Sequence, residues 1–378
     1  MKKYLTIRNI IILYVLAFVA VGIQKYLLGG YNNYLMFTMP FGWMLEGKTM
    51  YEWRTFLFDD LYKYSPTFAF LMAPFYPLPI GLGVGLWNLL NTVVLLWGTF
   101  SFLKNDALVV KRNVLLIVFL EALITAQNIQ SNNLIMGLML LGMSRLRNEK
   151  VFWAAFFFSM AAFFKVYGAA VAIFFLFYPN KVKFLASMMF WMLVLAALPL
   201  IILPFKMLVS EYQRWLEVAS ESQLNTQVSV MGILQSWFGW KVNFAVVEAI
   251  GLGLFLLPLI QFKKWQSPDF QRLMLAYFLV FVIIFNPMAE SPTYVYAVMG
   301  VALWFTWLNP ASRTDAILLG LVIVFTSLSP SDLFPRDLRD NFFVPYCIKT
   351  VPCVLVWLRL QYLVWNAASA RVAATESK

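Results

Sequence analysis

The chain has 378 residues, 62% hydrophobic and 18% aromatic, and only 12% carry a charge. A water-soluble domain needs about 25% charged residues to wet its surface, so this composition excludes a soluble globule. Histidine is absent and cysteine occurs twice, which excludes a His/Cys metal centre and a histidine general base; Cys347 and Cys353 read as separate packing residues rather than a disulfide.

In chain order, the first apolar run, Ile10 to Leu28, is followed by no small-residue cleavage site. It therefore reads as a spanning helix near 9–28 rather than a signal peptide. Residues 29–79 form an outer loop in which Pro66, Pro74, Pro77 and Pro79 bracket a short apolar stretch, Phe68 to Tyr76. That stretch is too short to span, and it reads as an interfacial helix with Trp43, Tyr51, Trp53, Tyr62 and Tyr64 as amphipathic anchors. Further apolar runs lie near 82–103, 113–127, 131–144, 151–165, 167–179 and 183–204. A second outer loop, 205–242, follows, and then runs near 243–261, 272–287, 292–308, 314–328 and 347–366, with a third outer segment between Ser329 and Lys349. The expected fold is an all-α polytopic membrane protein of about 12 transmembrane helices, a single domain over 1–366 with a short cytoplasmic tail at 367–378.

The net charge of +11 does not point to nucleic acid. The basic residues sit in short clusters between apolar runs, such as Lys111 with Arg112, Arg145 with Arg147 and Lys150, and Lys263 with Lys264. With both termini in the cytoplasm, these clusters fall on inner loops and the acids fall mostly outside, which is the positive-inside pattern. A bacterial inner (cell) membrane fits that pattern. The polar chemistry is then expected at the outer face.

Some polar residues stand where apolar ones are the default. Glu121 lies inside a span and must be neutral, paired or facing a cavity. Gln127, Asn128, Gln130, Asn132 and Asn133 form an amide run between two short spans, and such groups need partners. They either line a polar-substrate cavity or knit helices together. Lys165 ends its helix before Tyr167 and Gly168, where it either snorkels or holds a phosphate. Lys63, Arg214, Arg336 and Arg339 are further outer cations. Glu290 stands in a turn with Pro287 and Pro292 on either side, a position suited to a general base or to a solvated loop acid.

At these residues the sequence resembles glycosyltransferase family 87, integral membrane enzymes of the GT-C class related to polyprenol-phosphate-mannose-dependent mannosyltransferases. Tyr64-Ser65-Pro66-Thr67 leads into Phe68–Pro79 as the family's Tyr-Pro-Pro-type motif leads into its interfacial segment. Ile129-Gln130-Ser131-Asn132 is similar to its Gly-Gln-x-Asn motif, and Lys165-Val166 to its Lys-Pro-like element. Gln227, Ser229 and Gly232 resemble a further Asn-Gln-Ser-like stretch. Where the family has an aspartate after the first helix, this chain has Asn32 and Asn33 before Tyr34, and an amide cannot take up a proton at neutral pH. Its histidine-containing late turn aligns with the Glu290 region.

The resemblance implies an inverting transfer of a sugar, a hexose such as mannose, from a polyprenyl-phosphate donor to a glycolipid or glycan acceptor at the outer face. It implies no cofactor and no metal, and its partners are membrane lipids and the two substrates rather than nucleic acid. The implied catalytic carboxylate is Glu290, Asp59 or Asp60. Lys165, Arg214 and Arg336 are the implied phosphate ligands, and Asn32, Asn33, Tyr64, Gln130, Asn132 and Gln227 the implied substrate contacts. Two other classes stay open, a non-catalytic glycolipid-binding relative and a lipid or sugar transporter.

Overall fold

Three helices of the computed structural model are long and apolar enough to cross a membrane: Ile7–Leu27, Ile80–Phe102 and Lys181–Ile201. The structure describes residues 6–53, 61–221, 228–308 and 311–366. Helices account for 77% of the chain and no strand occurs among the described residues. An all-helical chain satisfies its backbone polar groups within each segment, as a bilayer demands.

In order, the α-helices are α1 (Ile7–Leu27), α2 (Asn32–Leu45), α3 (Pro66–Leu71), α4 (Ile80–Phe102), α5 (Leu108–Gln127), α6 (Asn132–Arg147), α7 (Val151–Phe164), α8 (Lys181–Ala197) and α9 (Phe205–Glu221). They continue with α10 (Val230–Phe238), α11 (Phe244–Leu256), α12 (Pro268–Ile284), α13 (Tyr294–Trp307), α14 (Arg313–Leu321), α15 (Arg336–Leu338) and α16 (Val351–Asn366). Each run expected to span is largely helical, although only three of these helices are long and apolar enough to cross a membrane. The 167–179 run is a 3₁₀ segment, Val166–Phe177, and the 314–328 run passes from α14 into a π-helix at Val322–Leu328.

The first outer segment departs from expectation. It carries a second helix, α2, with Pro40 inside it. The stretch expected as an interfacial helix over 68–76 is the six-residue α3 followed by turns. Its Pro66, Thr67, Phe68 and Ala69 are buried against the neighbouring helices, whereas Pro74, Tyr76 and Pro77 beyond it are exposed. Four of the five expected anchors, Trp43, Tyr51, Tyr62 and Tyr64, are buried as well, and only Trp53 is exposed. The cause is local hydrogen bonding that turns the rings inward: the Tyr51 hydroxyl donates to the Tyr64 carbonyl at 2.7 Å and the Tyr62 hydroxyl to the Ser65 carbonyl at 3.0 Å.

The chain divides into two units. The first comprises Met1–Asp106 and Leu123–Ser222. Its helices pack through small residues, as membrane helices do. A Cβ on Gly98 of α4 would run into the backbone of Gly137 on α6, and one on Gly142 into the ring of Phe158 on α7. Asn88 of α4 donates to the Phe18 carbonyl of α1 and the Ala126 carbonyl at the end of α5, each at 3.1 Å, so one buried amide ties three helices.

The second unit comprises Ala107–Ala122 and Gln223–Lys378. Its core is α12, α13 and α16. Gly300 admits α13 against the Ala276 carbonyl of α12, and Tyr277 stacks on Trp357 with ring centroids 5.2 Å apart. Cys347 and Cys353 are both buried and form no disulfide.

Candidate functional site

The amide run of the first unit breaks at Ile129, which sits at φ 54°. Left-handed backbone at a β-branched residue costs on the order of 1–3 kcal/mol and persists only where surrounding contacts impose it. Here the Trp87 indole donates to the Ile129 carbonyl at 3.2 Å, and the Gln130 amide donates back to the Thr125 carbonyl at 3.1 Å. The sharp turn sorts the polar side chains. Gln127 and Asn128 stay exposed, whereas Gln130, Ser131, Asn132 and Asn133 turn inward and are buried.

Asn132 then opens α6 with its carbonyl oxygen as a shared acceptor. The Lys165 ammonium donates to Asn132 Oδ1 at 3.0 Å, and the Tyr167 hydroxyl donates to the same oxygen at 3.3 Å. Tyr64 completes the group. Its hydroxyl donates to Gln130 Oε1 at 3.4 Å, and the Lys165 Nζ lies 6.0 Å from the Tyr64 ring centroid and 5.9 Å from that of Tyr167. Asn33 reaches the same turn, donating to the Asn128 carbonyl at 2.7 Å, while Asn32 beside it is exposed.

Three local features hold the cation in place. Lys165 is the extended C-cap of α7, at φ −147° and ψ 130°, so its side chain leaves the helix line. Gly168 follows within the 3₁₀ segment, and a Cβ there would collide with the Ala161 carbonyl of α7; this close approach is what the Tyr-Gly pair permits. Ser65 fixes the Tyr64 side of the group. It caps α3 by accepting from the Phe68 amide at 3.1 Å, and its hydroxyl donates to the Phe163 carbonyl of α7 at 2.6 Å.

Helix α9 clasps the loop that carries Tyr64. Glu211 is buried and accepts from the Met50 amide at 2.9 Å, Trp215 donates to the Lys63 carbonyl at 3.2 Å, and Tyr212 shares a 2.6 Å hydrogen bond with Thr67. Burial first, and neighbouring Tyr64 and Tyr212 second, raise the Tyr62 phenol well above its ordinary range, so it remains a neutral donor.

The other expected site residues lie elsewhere. Arg214 of α9 is exposed and donates to Thr49 at 3.2 Å. In the second unit, Arg336 is exposed and pairs with Asp340 at 3.2 Å, and Arg339 pairs with Asp332 at 2.6 Å. Glu290, also in the second unit, is exposed in a tight turn whose carbonyl accepts from the Thr293 amide at 2.9 Å and its hydroxyl at 2.6 Å. Asp59, Asp60 and Gln227 lie outside the described residues. No cluster of metal-ligating side chains occurs among the described residues.

Sequence reasoning missed two groups. Asn91 of α4 accepts from the Leu134 amide at 3.0 Å and so anchors the first turn of α6; its signal was a polar residue inside an apolar run. Lys349 donates to Glu121 at 2.7 Å within the second unit, which accounts for a carboxylate buried in α5. Nothing in the sequence pairs these two.

An all-helical chain with membrane-length apolar helices and a lysine held among buried amides and tyrosines defines a membrane protein with a polar site built into its helix bundle. The family model for glycosyltransferase family 87 matches residues 62–330, most of the chain, and the chain belongs to that family. Membership indicates a glycosyltransferase. The match includes Tyr64, the amide run, Lys165 and Glu290, and begins after Asn32 and Asn33. No individual curated protein matches the sequence.

Proposed function

We propose that the chain transfers a sugar from a polyprenyl-phosphate donor to a glycolipid or glycan acceptor at the outer membrane face, with inversion at the anomeric carbon. The observation that carries this reading is the convergence of Lys165 and Tyr167 on Asn132 beside Tyr64. A lysine oriented by an amide acceptor and two phenols provides a localised positive charge, which suits a single phosphate. A sugar nucleotide would bring a pyrophosphate and call for more neutralisation.

In the reaction the acceptor hydroxyl oxygen forms a bond to the anomeric carbon as the bond from that carbon to the donor phosphate oxygen breaks. The acceptor proton goes to a carboxylate, and the phosphate leaves with the bonding electron pair. Lys165 stabilises the charge growing on the leaving phosphate, and Tyr167 donates to the same anion by rotating from Asn132. Gln130 and Asn132 orient sugar hydroxyls. Glu290 is the assigned base, with Asp59 and Asp60 as the alternatives. Arg214, in the same unit as Lys165, is assigned to the phosphate as well, which requires it to release Thr49. The donor's prenyl tail remains in the bilayer.

Reconstitution in proteoliposomes with a panel of polyprenyl-phosphate sugars tests the reading. Wild-type protein should consume at least one donor, and Glu290→Gln should abolish turnover while leaving the protein folded. Loss in Asp59→Asn or Asp60→Asn, with Glu290→Gln active, would move the base. A folded wild-type protein that consumes no donor of the panel would contradict the enzymatic reading and favour the glycolipid-binding one.

A further inference from the structure

At the far end of α6 from the amide turn, a cavity of about 530 Å³ opens among Arg145, Glu149, Lys150, Trp153, Phe157 and Lys183, all within the first unit. Its volume is in the range of small-molecule sites. Its charge is unbalanced, with three cations against one carboxylate. Three less exposed cations of the structure have partners: Lys165 on Asn132, Lys349 on Glu121 and Arg359 on Asp315. For Arg145, Lys150 and Lys183 no side-chain hydrogen bond or ion pair occurs among the described residues. Three uncommitted cations held around one concavity repel one another, and an anion between them relieves that repulsion.

The backbone contributes in the same direction. Helix α7 starts at Val151, and its N-cap, Lys150, makes no side-chain capping bond; Val151, Phe152 and Trp153 of this uncapped first turn line the cavity. Beside the cations stands a cluster of aromatic rings. Trp153 is 49% exposed, Phe190 48% and Phe152 39%, and Trp191 joins them with its indole donating to the Phe152 carbonyl at 3.1 Å. Exposed tryptophan and phenylalanine at one level of a helical membrane protein mark the bilayer interface. The α6–α7 turn belongs to an inner loop by the positive-inside pattern, and the inner leaflet is where anionic headgroups gather.

We infer that this cavity is a binding site for the phosphodiester headgroup of an anionic membrane phospholipid. The cations take the phosphate, and the exposed rings rest against the acyl-chain boundary. The rings favour a lipid over free phosphate, because an inorganic anion gains nothing from them.

The test uses full-length protein in neutral detergent and an equimolar mixture of phosphatidylglycerol and phosphatidylcholine, with bound lipid counted by native mass spectrometry. Wild-type protein should retain phosphatidylglycerol over phosphatidylcholine by at least about tenfold, given what a few surface cations contribute to anionic-lipid binding. The Arg145→Gln, Lys150→Gln, Lys183→Gln triple variant should fall to within about twofold of parity, while Lys263→Gln with Arg313→Gln should retain the wild-type preference. Should the triple variant not elute as wild type, Lys183→Glu alone should lower the preference at least about threefold. An unchanged preference in these cavity variants, or none in wild type, would overturn the site. Thermal stabilisation by inorganic phosphate equal to that by short-chain phosphatidylglycerol would overturn the lipid assignment.

Discussion

Lys349 and Glu121, separated by 228 residues in the chain, meet with Nζ 2.7 Å from Oε1, and both side chains are almost fully buried. The Lys349 ammonium also lies 5.0 Å from the Tyr294 ring centroid, and the Tyr294 hydroxyl shares a 2.7 Å hydrogen bond with Thr350. Helices α5 and α13 and the turn that leads into α16 are thus joined by one buried polar cluster. Removing one member of a buried pair leaves the other charge uncompensated, at a cost of about 3–5 kcal/mol. Lys349→Met should lower the thermal midpoint strongly in detergent. Adding Glu121→Leu to it should recover most of the loss, because the two apolar side chains strand no charge. A double variant no more stable than Lys349→Met would show that the pair is not coupled.

Ser65 performs two tasks with one hydroxyl, accepting from the Phe68 amide and donating to the Phe163 carbonyl. Ser65→Ala removes the cap of α3, worth about 1 kcal/mol, and strands a buried carbonyl, worth about 1–3 kcal/mol more. Ser65→Thr retains both bonds. The expected order of thermal midpoints is wild type, then Ser65→Thr, then Ser65→Ala clearly lowest. Equal midpoints for wild type and Ser65→Ala would remove Ser65 from the support of Tyr64.

How much of this was legible in the sequence differs from feature to feature. The amide run stood out because polar side chains in an apolar chain need partners, and Lys165 because a lysine ending an apolar helix is conspicuous. The break at Ile129 was not legible, since nothing in an isoleucine announces left-handed backbone. The outer tyrosines were read as surface anchors because ring chemistry suits an interface; whether a phenol faces lipid or a carbonyl depends on the fold of the loop, which its composition does not encode. Helix α2 was read as loop because its apolar run is short and contains Pro40. The Glu121–Lys349 pair was invisible because a contact across 228 residues leaves no local pattern.

The α4–α6 crossing depends on two facing glycines. A Cβ at Gly137 would meet the Val94 carbonyl, and one at Gly98 the Gly137 backbone. Backbone cannot yield as a flexible side chain does, so Gly137→Val should force the helices apart and disturb the α6 turn that holds Asn132. Gly85, with open space around the position of an added Cβ, is the control. Gly137→Val should give little folded protein by gel filtration, and Gly85→Ala a normal yield. Wild-type yield and midpoint for Gly137→Val would contradict this packing.

Tyr167 and Lys165 share one acceptor, so their losses should not add independently. Tyr167→Phe should lower donor kcat/KM by about tenfold, the order expected for one hydrogen bond to a charged group. In the Lys165→Met background the same change should matter much less. Fully additive losses would mean that the two act at separate places.

The most direct measurement is equilibrium binding of a short-chain polyprenyl phosphate, the product of the proposed transfer, to detergent-solubilised protein. Binding requires the phosphate site but no base, so it isolates the cluster from the question of Glu290, Asp59 and Asp60. The Kd should rise by at least about tenfold in Lys165→Met, the scale of one lost charge-assisted contact, with Lys263→Met as wild type. An unchanged Kd in a folded Lys165→Met protein would contradict the assignment of the Lys165–Asn132 cluster to the donor's phosphate.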